Sequence, residues 1–267
     1  MTLKVLSQTD CSRYALSTPE QSSVIPELLL GLEDQGIPVA RLAAQRLGNS
    51  AEITVLDCLN TWKEAPLYQL LTAFEIWARS NAITDAGCYL TLSQDQALSL
   101  QRLLCHNGWT VGQPTLIFSV LLSKKPSRWP QPQPSVVHRL LPFFQLPLPI
   151  RANFFSSCLH TDLADLGSLE PGLCIAYSQA DRCPDGVILT GRWKQRYLAQ
   201  AWLPEDSTWS EQMIVLLTQL CLRRNIHHLT LQTNQTTSAA LIQTLLGDRI
   251  TTVNVQLQGH WNGQRGE

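Results

Sequence analysis

The first half of the chain alternates between helix-like and strand-like spacing of its apolar residues. Apolar side chains recur at every third or fourth position from Ala65 to Arg79, which predicts an amphipathic helix. The run EITVLDCL ahead of it is apolar and β-branched, which is typical of a strand. The predicted elements of this half are strands at 38–46 and 52–59, a helix at 65–79, a strand at 88–92, a helix at 93–109 that ends at Asn107-Gly108, and a strand at 115–122.

The second half shows a similar order of elements. Trp209 to Arg224 has the spacing of an amphipathic helix, and the run ITTVNVQL alternates apolar and polar residues as a half-buried strand does. The predicted elements are strands at 186–190 and 197–203 in a hairpin turned near Gly191, a helix at 209–224, a strand at 227–233, a helix at 234–248 with Gly247 at its end, and a strand at 250–257. The repeated order favours two copies of one α/β fold.

A proline-rich stretch separates the two halves. Seven prolines fall between Lys124 and Ile150, a density that disfavours both helix and central strand. The first part, KKPSRWPQPQP, is typical of an extended connector, whereas LLPFFQLPLPI is apolar enough to pack on a neighbouring domain. The predicted organisation is an N-terminal domain at 1–123, a Pro-rich connector at 124–150 and a C-terminal domain at 151–267.

Composition narrows the classes of protein. The chain has 267 residues, with 20 Lys and Arg against 21 Asp and Glu and a formal net charge of −1. With 44% hydrophobic and 15% charged residues, the composition is globular rather than disordered. A net charge near zero provides no field that attracts a polyanion, so a dedicated nucleic-acid-binding function is not expected.

The cysteine and histidine pattern argues against a metal site. Eight cysteines are spread along the chain without a CxxC pair, so buried, reduced thiols are predicted in place of zinc or iron–sulfur ligands. The adjacent His227 and His228 face opposite sides of a strand and are interpreted as structural. The N-terminal sequence has no apolar leader-like core, and no stretch approaches the roughly 18 apolar residues that cross a bilayer. These features predict a cytoplasmic protein without a membrane span.

Residues 88–109, CYLTLSQDQALSLQRLLCHNGW, resemble the GNAT superfamily of acyl-CoA-dependent N-acyltransferases. In that family a strand, a polar turn and a helix with small and apolar residues end in a Gly-aromatic pair, here Gly108-Trp109. The second half repeats the pattern as LTLQTNQTTSAALIQTLLGD, with Asn234 at the turn, and Leu203-Pro204-Glu205 is similar to the end of the family's central strand. The resemblance implies an α/β fold with a mixed sheet, built as two tandem GNAT-like domains joined by the Pro-rich segment.

One loop departs from the family's pattern. The family carries Gln/Arg-x-x-Gly-x-Gly/Ala between the central strand and its helix, and the glycines let backbone N–H groups approach the CoA pyrophosphate. The corresponding segments here, NTWKEAPLYQ and PEDSTWSEQM, contain no glycine. The second also carries three acids that repel a pyrophosphate, namely Glu205, Asp206 and Glu211. The first copy, which has Lys63, is therefore the better candidate for binding acyl-CoA.

The resemblance also implies candidate site residues. Glu52, at the start of the first central strand, and Glu205, at the end of the second, are candidates for the base that deprotonates an acceptor amine. Both also fit solvated charges at strand ends. Asn60 and Lys63 in the first copy, and Asn234 in the second, are candidates for binding acetyl-CoA or another acyl-CoA.

Two functions stay open on the sequence alone. The first is an acyl-CoA-dependent N-acyltransferase, in which the amine of a small molecule or protein attacks the thioester while the backbone of the central strand polarises the carbonyl. The second is a non-catalytic protein of the same fold that acts as an assembly factor or binds a protein partner. The missing glycines in both loops favour the second, because fold alone does not determine function.

Overall fold

The computed structural model describes residues 1–16, 26–122, 140–157, 167–178, 183–193 and 195–263. The chain divides into two compact units, Met1–Pro114 with Val255–Glu267 and Thr115–Asn254. Both units combine a mixed arrangement of parallel and antiparallel strands with helices. The fold is therefore of the α/β class with a mixed sheet.

The strands of the first unit are mostly antiparallel. They are β1 (Thr2–Val5), β2 (Leu28–Asp34), β3 (Ile37–Leu47), β4 (Ser50–Cys58), β5 (Asp85–Ser93) and β6 (Thr110–Val111), with the last residues of β14 (Ile250–Asn262) beside β5 and β6. β1 to β4 pair antiparallel in chain order, whereas β4 and β5 are parallel. A parallel pair needs a crossover connection, and helix α1 (Glu64–Ser80) supplies it.

Two helices of the first unit bury apolar stripes at helical spacing. The buried stripe of α1 is Pro66, Leu67, Leu70, Leu71, Phe74 and Ala78. Helix α2 (Gln94–His106) begins with a capping box, in which the Ser93 hydroxyl accepts from the Gln96 N–H and the Gln96 side chain accepts from the Ser93 N–H. Its last residue is His106, and Gly108 beyond it has a φ of 78°, a conformation that glycine adopts at little cost.

The N-terminal segment packs on β3 and β4 of the first unit. Leu6, Cys11, Tyr14 and Leu16 form a buried cluster with Ala43. Arg41 and Asp57 are register partners on β3 and β4, and they form two parallel hydrogen bonds of 2.8 and 2.9 Å. Arg41 also donates to the backbone oxygen of Tyr14 at 2.8 Å, so it ties the segment to the sheet.

A buried carboxylate also holds the N-terminal segment. Glu33 is 4% exposed and accepts from Lys4 Nζ at 2.5 Å, Arg13 Nη1 at 2.8 Å and the Tyr14 hydroxyl at 3.1 Å. The hydrogen bond from Lys4 is the main cause that lowers the pKa of Glu33 from 4.5. Burial and the hydrogen bond to Glu33 raise the pKa of Tyr14 to about 12.

The strands of the second unit form an equivalent mixed arrangement. They are β7 (Thr115–Leu121), β8 (Leu140–Pro142), β9 (Ser168–Leu169), β10 (Ile175–Tyr177), β11 (Gly186–Trp193), β12 (Arg196–Trp202) and β13 (His228–Thr233), with the first residues of β14 beside β7. The order across this unit is β7-β13-β12-β11-β10-β8. β12 and β13 are the parallel pair, and the other pairs along this order are antiparallel.

The second unit buries both faces of its strands. Helices α4 (Ser207–Arg223) and α5 (Thr236–Leu246) cover a core that includes Ile188, Ala199 and Leu231. The alternate residues Val187 and Leu189 contact a second cluster, in which helix α3 (Leu148–Ser157) places phenylalanines beside Phe143. Successive strand residues point to opposite faces, so β11 contributes to both clusters.

Every strand and helix predicted from apolar spacing is present, with ends within a few residues. Two details were wrong. The hairpin of β11 and β12 turns between Trp193 and Arg196, because Gly191 is paired with Leu198 inside the ladder. The apolar part of the Pro-rich stretch contains an edge strand ending at Pro142 and a helix with Pro149 in its first turn, both positions that proline tolerates. Residues 123–139 of that stretch lie outside the described residues.

The compact units do not coincide with the two halves of the sequence. The strand predicted at 115–122 belongs to the second unit as β7, and residues from 255 onward belong to the first. Leu140, Phe143 and Leu146 of the Pro-rich stretch are buried in the second unit, where they join its two clusters. The domain ranges 1–123, 124–150 and 151–267 remain a prediction from the sequence.

Candidate functional site

The parallel strands of the first unit separate along their length. Their register runs from Ser50 opposite Asp85 to Ile53 opposite Cys88 and ends there. On the other side of β4, the register with β3 shifts so that Ile53 and Val55 oppose consecutive residues, which leaves Thr54 as a β-bulge. A bulge bends its strand and interrupts regular pairing, and the ladder between β4 and β5 ends beside it. The region beyond the end of this ladder is called the β4–β5 gap below.

The loop after β4 leads to a helix start that no side chain caps. Lys63 is the N-cap residue of α1, and its side chain is exposed. Its backbone N–H donates to Cys58 Sγ at 3.4 Å, and its side chain makes no cap hydrogen bond to the helix. Asn60 is also exposed in this loop. The positive end of the helix dipole and a lysine therefore meet at the carboxyl end of β4.

A tryptophan connects this loop to the helix that follows β5. The half-buried Trp62 donates its indole N–H to Ser99 Oγ at 3.0 Å. Ser99 Oγ in turn donates to Glu64 Oε1 at 2.8 Å. The contact joins the start of α1 to α2, and these two helices follow the two strands that border the β4–β5 gap.

Glu52 lies in the paired part of β4, two residues before the bulge. It is half-buried and accepts from Gln45 Nε2 at 2.5 Å, and its register partner on β5 is Gly87. The structure therefore places Glu52 on one side of the bulge, and Asn60 and Lys63 on the other.

The central strand of the second unit has no bulge. β12 pairs with β13 from Tyr197–Leu229 to Gln200–Gln232, and the ladder between β11 and β12 has no register shift. Where β12 ends, the N–H of Leu203 donates to Gln235 Oε1 at 3.0 Å, and the Ser238 hydroxyl donates to the same oxygen at 2.6 Å. A glutamine side chain therefore bridges the carboxyl ends of β12 and β13.

The start of helix α4 is capped by its own chain. Asp206 Oδ1 accepts from the Thr208 N–H at 2.9 Å, and the neighbouring Glu205 is exposed. A carboxylate thus takes the place where a phosphate would meet the first-turn amides. Asn234 is half-buried in the bend between β13 and α5. The structure brings Glu205 and Asn234 to the same end of the parallel pair, beside negative charge.

Four of the described cysteines, Cys11, Cys88, Cys174 and Cys221, are buried as predicted, whereas Cys105 and Cys183 are exposed because they lie outside the apolar core. Burial raises the pKa of Cys88 to about 12, that of Cys174 to about 11 and that of Cys221 to about 12, which disfavours the reactive thiolate. In the part of the chain that the structure describes, no three His, Cys, Asp or Glu side chains are grouped as a metal site. None of the helices in the described ranges is long and apolar enough to span a bilayer.

Three features of these sites were not foreseen from sequence. The sequence indicates the bulge at Thr54 only weakly. The apolar residues Ile53, Val55 and Leu56 depart from a strict alternation of apolar and polar positions. Trp62 is an aromatic residue in a polar loop, which indicates a contact with another part of the protein. It does not identify Ser99 as the partner. No local sequence pattern predicts the bridge made by Gln235, because it depends on β12 and β13 being neighbours in the sheet.

Comparison with known proteins gives structural likeness without close sequence likeness. No protein-family model matches the chain, and no curated protein matches it. A GCN5-related N-acetyltransferase from Sphaerobacter thermophilus matches 98% of this chain and 95% of its own, with a TM-score of 0.50 and 10% identity. A tandem GNAT protein from the clavulanic acid biosynthesis pathway matches 91% of this chain and 86% of its own, with a TM-score of 0.45 and 8% identity.

A ribosomal-protein-alanine N-acetyltransferase from Brucella melitensis matches 48% of this chain and 94% of its own, with a TM-score of 0.33 and 14% identity. Of the three, the Sphaerobacter protein reaches a TM-score of 0.50, and its match extends over nearly all of both chains. At 10% identity this likeness concerns the fold. The chain has the α/β fold of a GCN5-related N-acetyltransferase, as the sequence resemblance implies.

Proposed function

We propose that the first unit binds an acyl-CoA in the β4–β5 gap and transfers its acyl group to an amine of a small molecule or protein. The observation that carries this proposal is the bulge at Thr54, after which β4 and β5 no longer pair. The N–H groups that β4 directs toward β5 beyond Ile53 lie outside that ladder. They are in position to donate hydrogen bonds to a ligand placed between the strands.

The residues at the mouth of the gap suit the phosphates of the donor. The start of α1 has no side-chain cap, and the exposed Lys63 adds a positive charge beside it. Asn60 supplies an amide that donates hydrogen bonds. The helix start and Lys63 thereby replace the glycine-rich backbone cradle that this loop lacks.

Bound acyl-CoA would supply an activated acyl group as a thioester. In the proposed reaction the amine nitrogen forms a bond to the thioester carbonyl carbon, the carbon–sulfur bond breaks, and the leaving thiolate takes up a proton from solvent water. Glu52 accepts the proton that the amine loses, and the hydrogen bond from Gln45 holds its carboxylate in place. Backbone N–H groups of β4 stabilise the charge that develops on the carbonyl oxygen.

The second unit has no donor-binding role in this proposal. Gln235 bridges the strand ends, and Asp206 occupies the helix start. We assign it a supporting role within the tandem fold.

The alternative is a protein that has kept the fold without the reaction and acts as an assembly factor or protein-interaction module. The contact from Trp62 to Ser99 favours it, because this contact joins the two helices at the mouth of the gap. If that contact is permanent, the pyrophosphate of an acyl-CoA has no path to the amides of α1.

A thermal melt of the full chain with acetyl-CoA, CoA and longer acyl-CoAs separates the two functions. A ligand at about 100 times its dissociation constant stabilises a protein by roughly 2.7 kcal/mol, a shift of several degrees in Tm. The proposal expects this shift in the wild type and a smaller one in Lys63→Ala. Asp206→Asn, a change at the helix start of the second unit, serves as the control and keeps the full shift.

The absence of a shift with every acyl-CoA in both the wild type and Trp62→Ala would decide for the alternative, since the alanine variant removes the contact to Ser99. A shift that Lys63→Ala and Asp206→Asn reduce equally would refute the proposed site, because binding would then not involve the start of α1. If a shift is found, release of free CoA thiol in the presence of a panel of amines tests the transfer itself.

A further inference from the structure

The second unit has a cavity at the amino-terminal ends of its parallel strands. Its volume is about 450 Å³, within the range of roughly 300–1,000 Å³ typical of small-molecule sites. It is lined by Ser119, Val120, Gln195, Arg196, Tyr197, His228, Leu229, Thr230 and Thr251. These residues come from β7, β12, β13, β14 and the turn before β12. Glu205 and Asn234 lie at the opposite, carboxyl-terminal ends of β12 and β13, so the cavity is distinct from any donor site there.

Short hydroxyl side chains create the room in this cavity. Ser119 and Thr230 are register partners on β7 and β13. Their neighbours Val120 and Leu229 belong to the apolar core, so the two hydroxyl side chains lie on the other face of the strands. Thr251 reaches the same place, since its hydroxyl donates to the backbone oxygen of Ser119 at 3.1 Å. A row of short polar side chains therefore crosses three strands where longer ones would fill the space.

The longer side chains around this row are cationic or hydrogen-bonding. Arg196 and His228 are exposed, and Gln195 adds an amide. Arg192 lies over the ring of Tyr197, with its guanidinium carbon 5.8 Å from the ring centre. No Asp or Glu lines the cavity among the described residues, and none of their carboxylates forms an ion pair with Arg196. The guanidinium of Arg196 is thus available to a ligand that carries negative charge.

We propose that this cavity is a binding site for a small organic anion, which places its phosphate or carboxylate group on Arg196. A guanidinium presents parallel N–H donors that match two oxygens of such a group. His228 and Gln195 donate further hydrogen bonds, and the hydroxyls of Ser119, Thr230 and Thr251 bind the polar body of the ligand. The second unit then acts as a recognition module, whether or not the first unit transfers acyl groups.

Titration of the isotope-labelled full chain, followed by its backbone amide NMR spectrum, tests this site. The probes are inorganic phosphate and succinate, added separately at constant ionic strength, with chloride as the blank. We expect saturable shifts at the amides of Ser119, Thr230 and Thr251. Binding of phosphate alone identifies an organic phosphate as the ligand class, and binding of succinate alone identifies a carboxylate.

Variants locate the binding at this cavity. Arg196→Gln should raise the dissociation constant of the bound probe by about tenfold, as the loss of a charge-assisted hydrogen bond does. Arg223→Gln is the matched control, because Arg223 is an exposed arginine of the same unit outside the cavity. Thr230→Val keeps a β-branched residue in the strand, removes one hydroxyl and should also weaken binding. The proposal is overturned if neither probe gives a saturable shift, or if Arg196→Gln and Thr230→Val both bind the probe as the wild type does.

Discussion

The two units share an order of elements but differ at one position of the central strand. In the first, β4 has an extra residue at Thr54, and the ladder with β5 ends just before it, at Ile53 and Cys88. In the second, the ladder between β11 and β12 is regular and a glutamine side chain bridges the strand ends. One inserted residue thus distinguishes the central strands of the two units, although the helices and strands around them follow the same order.

The helix that follows each central strand repeats this contrast. Helix α4 begins with Asp206, which satisfies a first-turn amide and adds negative charge. Helix α1 follows Lys63, which caps nothing and adds positive charge, and its first residue is Glu64. A helix start that is satisfied by its own side chain contributes to stability, whereas one that is left open is available to an anion. This difference supports the proposal that an acyl-CoA binds at the helix start of the first unit and not at that of the second.

Removing the bulge should have the largest effect on this contrast. Deletion of Thr54 lets Ile53 and Val55 continue the regular ladder with Ala44 and Ala43, so β4 should stay paired with β5. We expect the acyl-CoA shift in Tm to be lost, with binding weakened by about a hundredfold or more, since the donor hydrogen bonds of the strand return to the sheet. Thr54→Ser keeps the bulge and serves as the control. A deletion variant that folds and binds acyl-CoA as before would refute the role of the gap.

Opening the second unit should cost stability without creating a donor site. Gln235→Ala leaves the N–H of Leu203, a buried residue, without its acceptor, which costs about 1–3 kcal/mol in the free energy of unfolding. Urea denaturation measures this cost, and hydrogen exchange of the Leu203 amide should become faster. Gln243→Ala, in the same helix but outside the bridge, is the control. An unchanged free energy of unfolding in Gln235→Ala would show that the bridge is dispensable.

The two helix starts should respond differently to loss of their first side chain. Asp206→Ala removes an N-cap and should lower the free energy of unfolding by about 1 kcal/mol, and Asp206→Ser should restore most of it. Lys63→Ala removes no cap, so its cost should stay within about 0.5 kcal/mol while binding of acyl-CoA weakens. Denaturation curves of the three variants make the comparison. Equal losses at both positions would contradict the assignment of one start to stability and the other to binding.

The smallest effect concerns the pH dependence of the first unit. The pKa of Glu33 in the folded protein lies below 4.5, mainly because of the hydrogen bond from Lys4. A lowered carboxylate pKa stabilises the fold at pH values above 4.5, and this stabilisation is lost as the pH falls through the folded pKa. We expect Glu33→Gln to lower the free energy of unfolding at neutral pH. The difference from the wild type should become smaller below pH 4.5. A loss that is independent of pH would instead indicate packing as its cause.

The fold was largely predictable from the sequence, because apolar spacing and caps are local. The helix after β5, for example, is predicted by the spacing of its leucines and by Gly108 just beyond its end. The candidate site was less predictable from the sequence. Glu52, Asn60 and Lys63 came from the resemblance, and the structure locates them without testing their roles. The bulge and the glutamine bridge depend on which strands are neighbours, and a local pattern does not contain that information.

The course of the C-terminal strand has a consequence for how the protein is made. Its residues up to Asn254 belong to the second unit, and those from Val255 onward complete the first. Synthesis proceeds from the N-terminus, and a domain folds as a unit once its parts are present. The first unit therefore lacks the strand that lies beside β5 and β6 until the residues from Val255 onward have been synthesised. A gene cut between the two halves would yield two incomplete products, and only their joint expression would restore either unit.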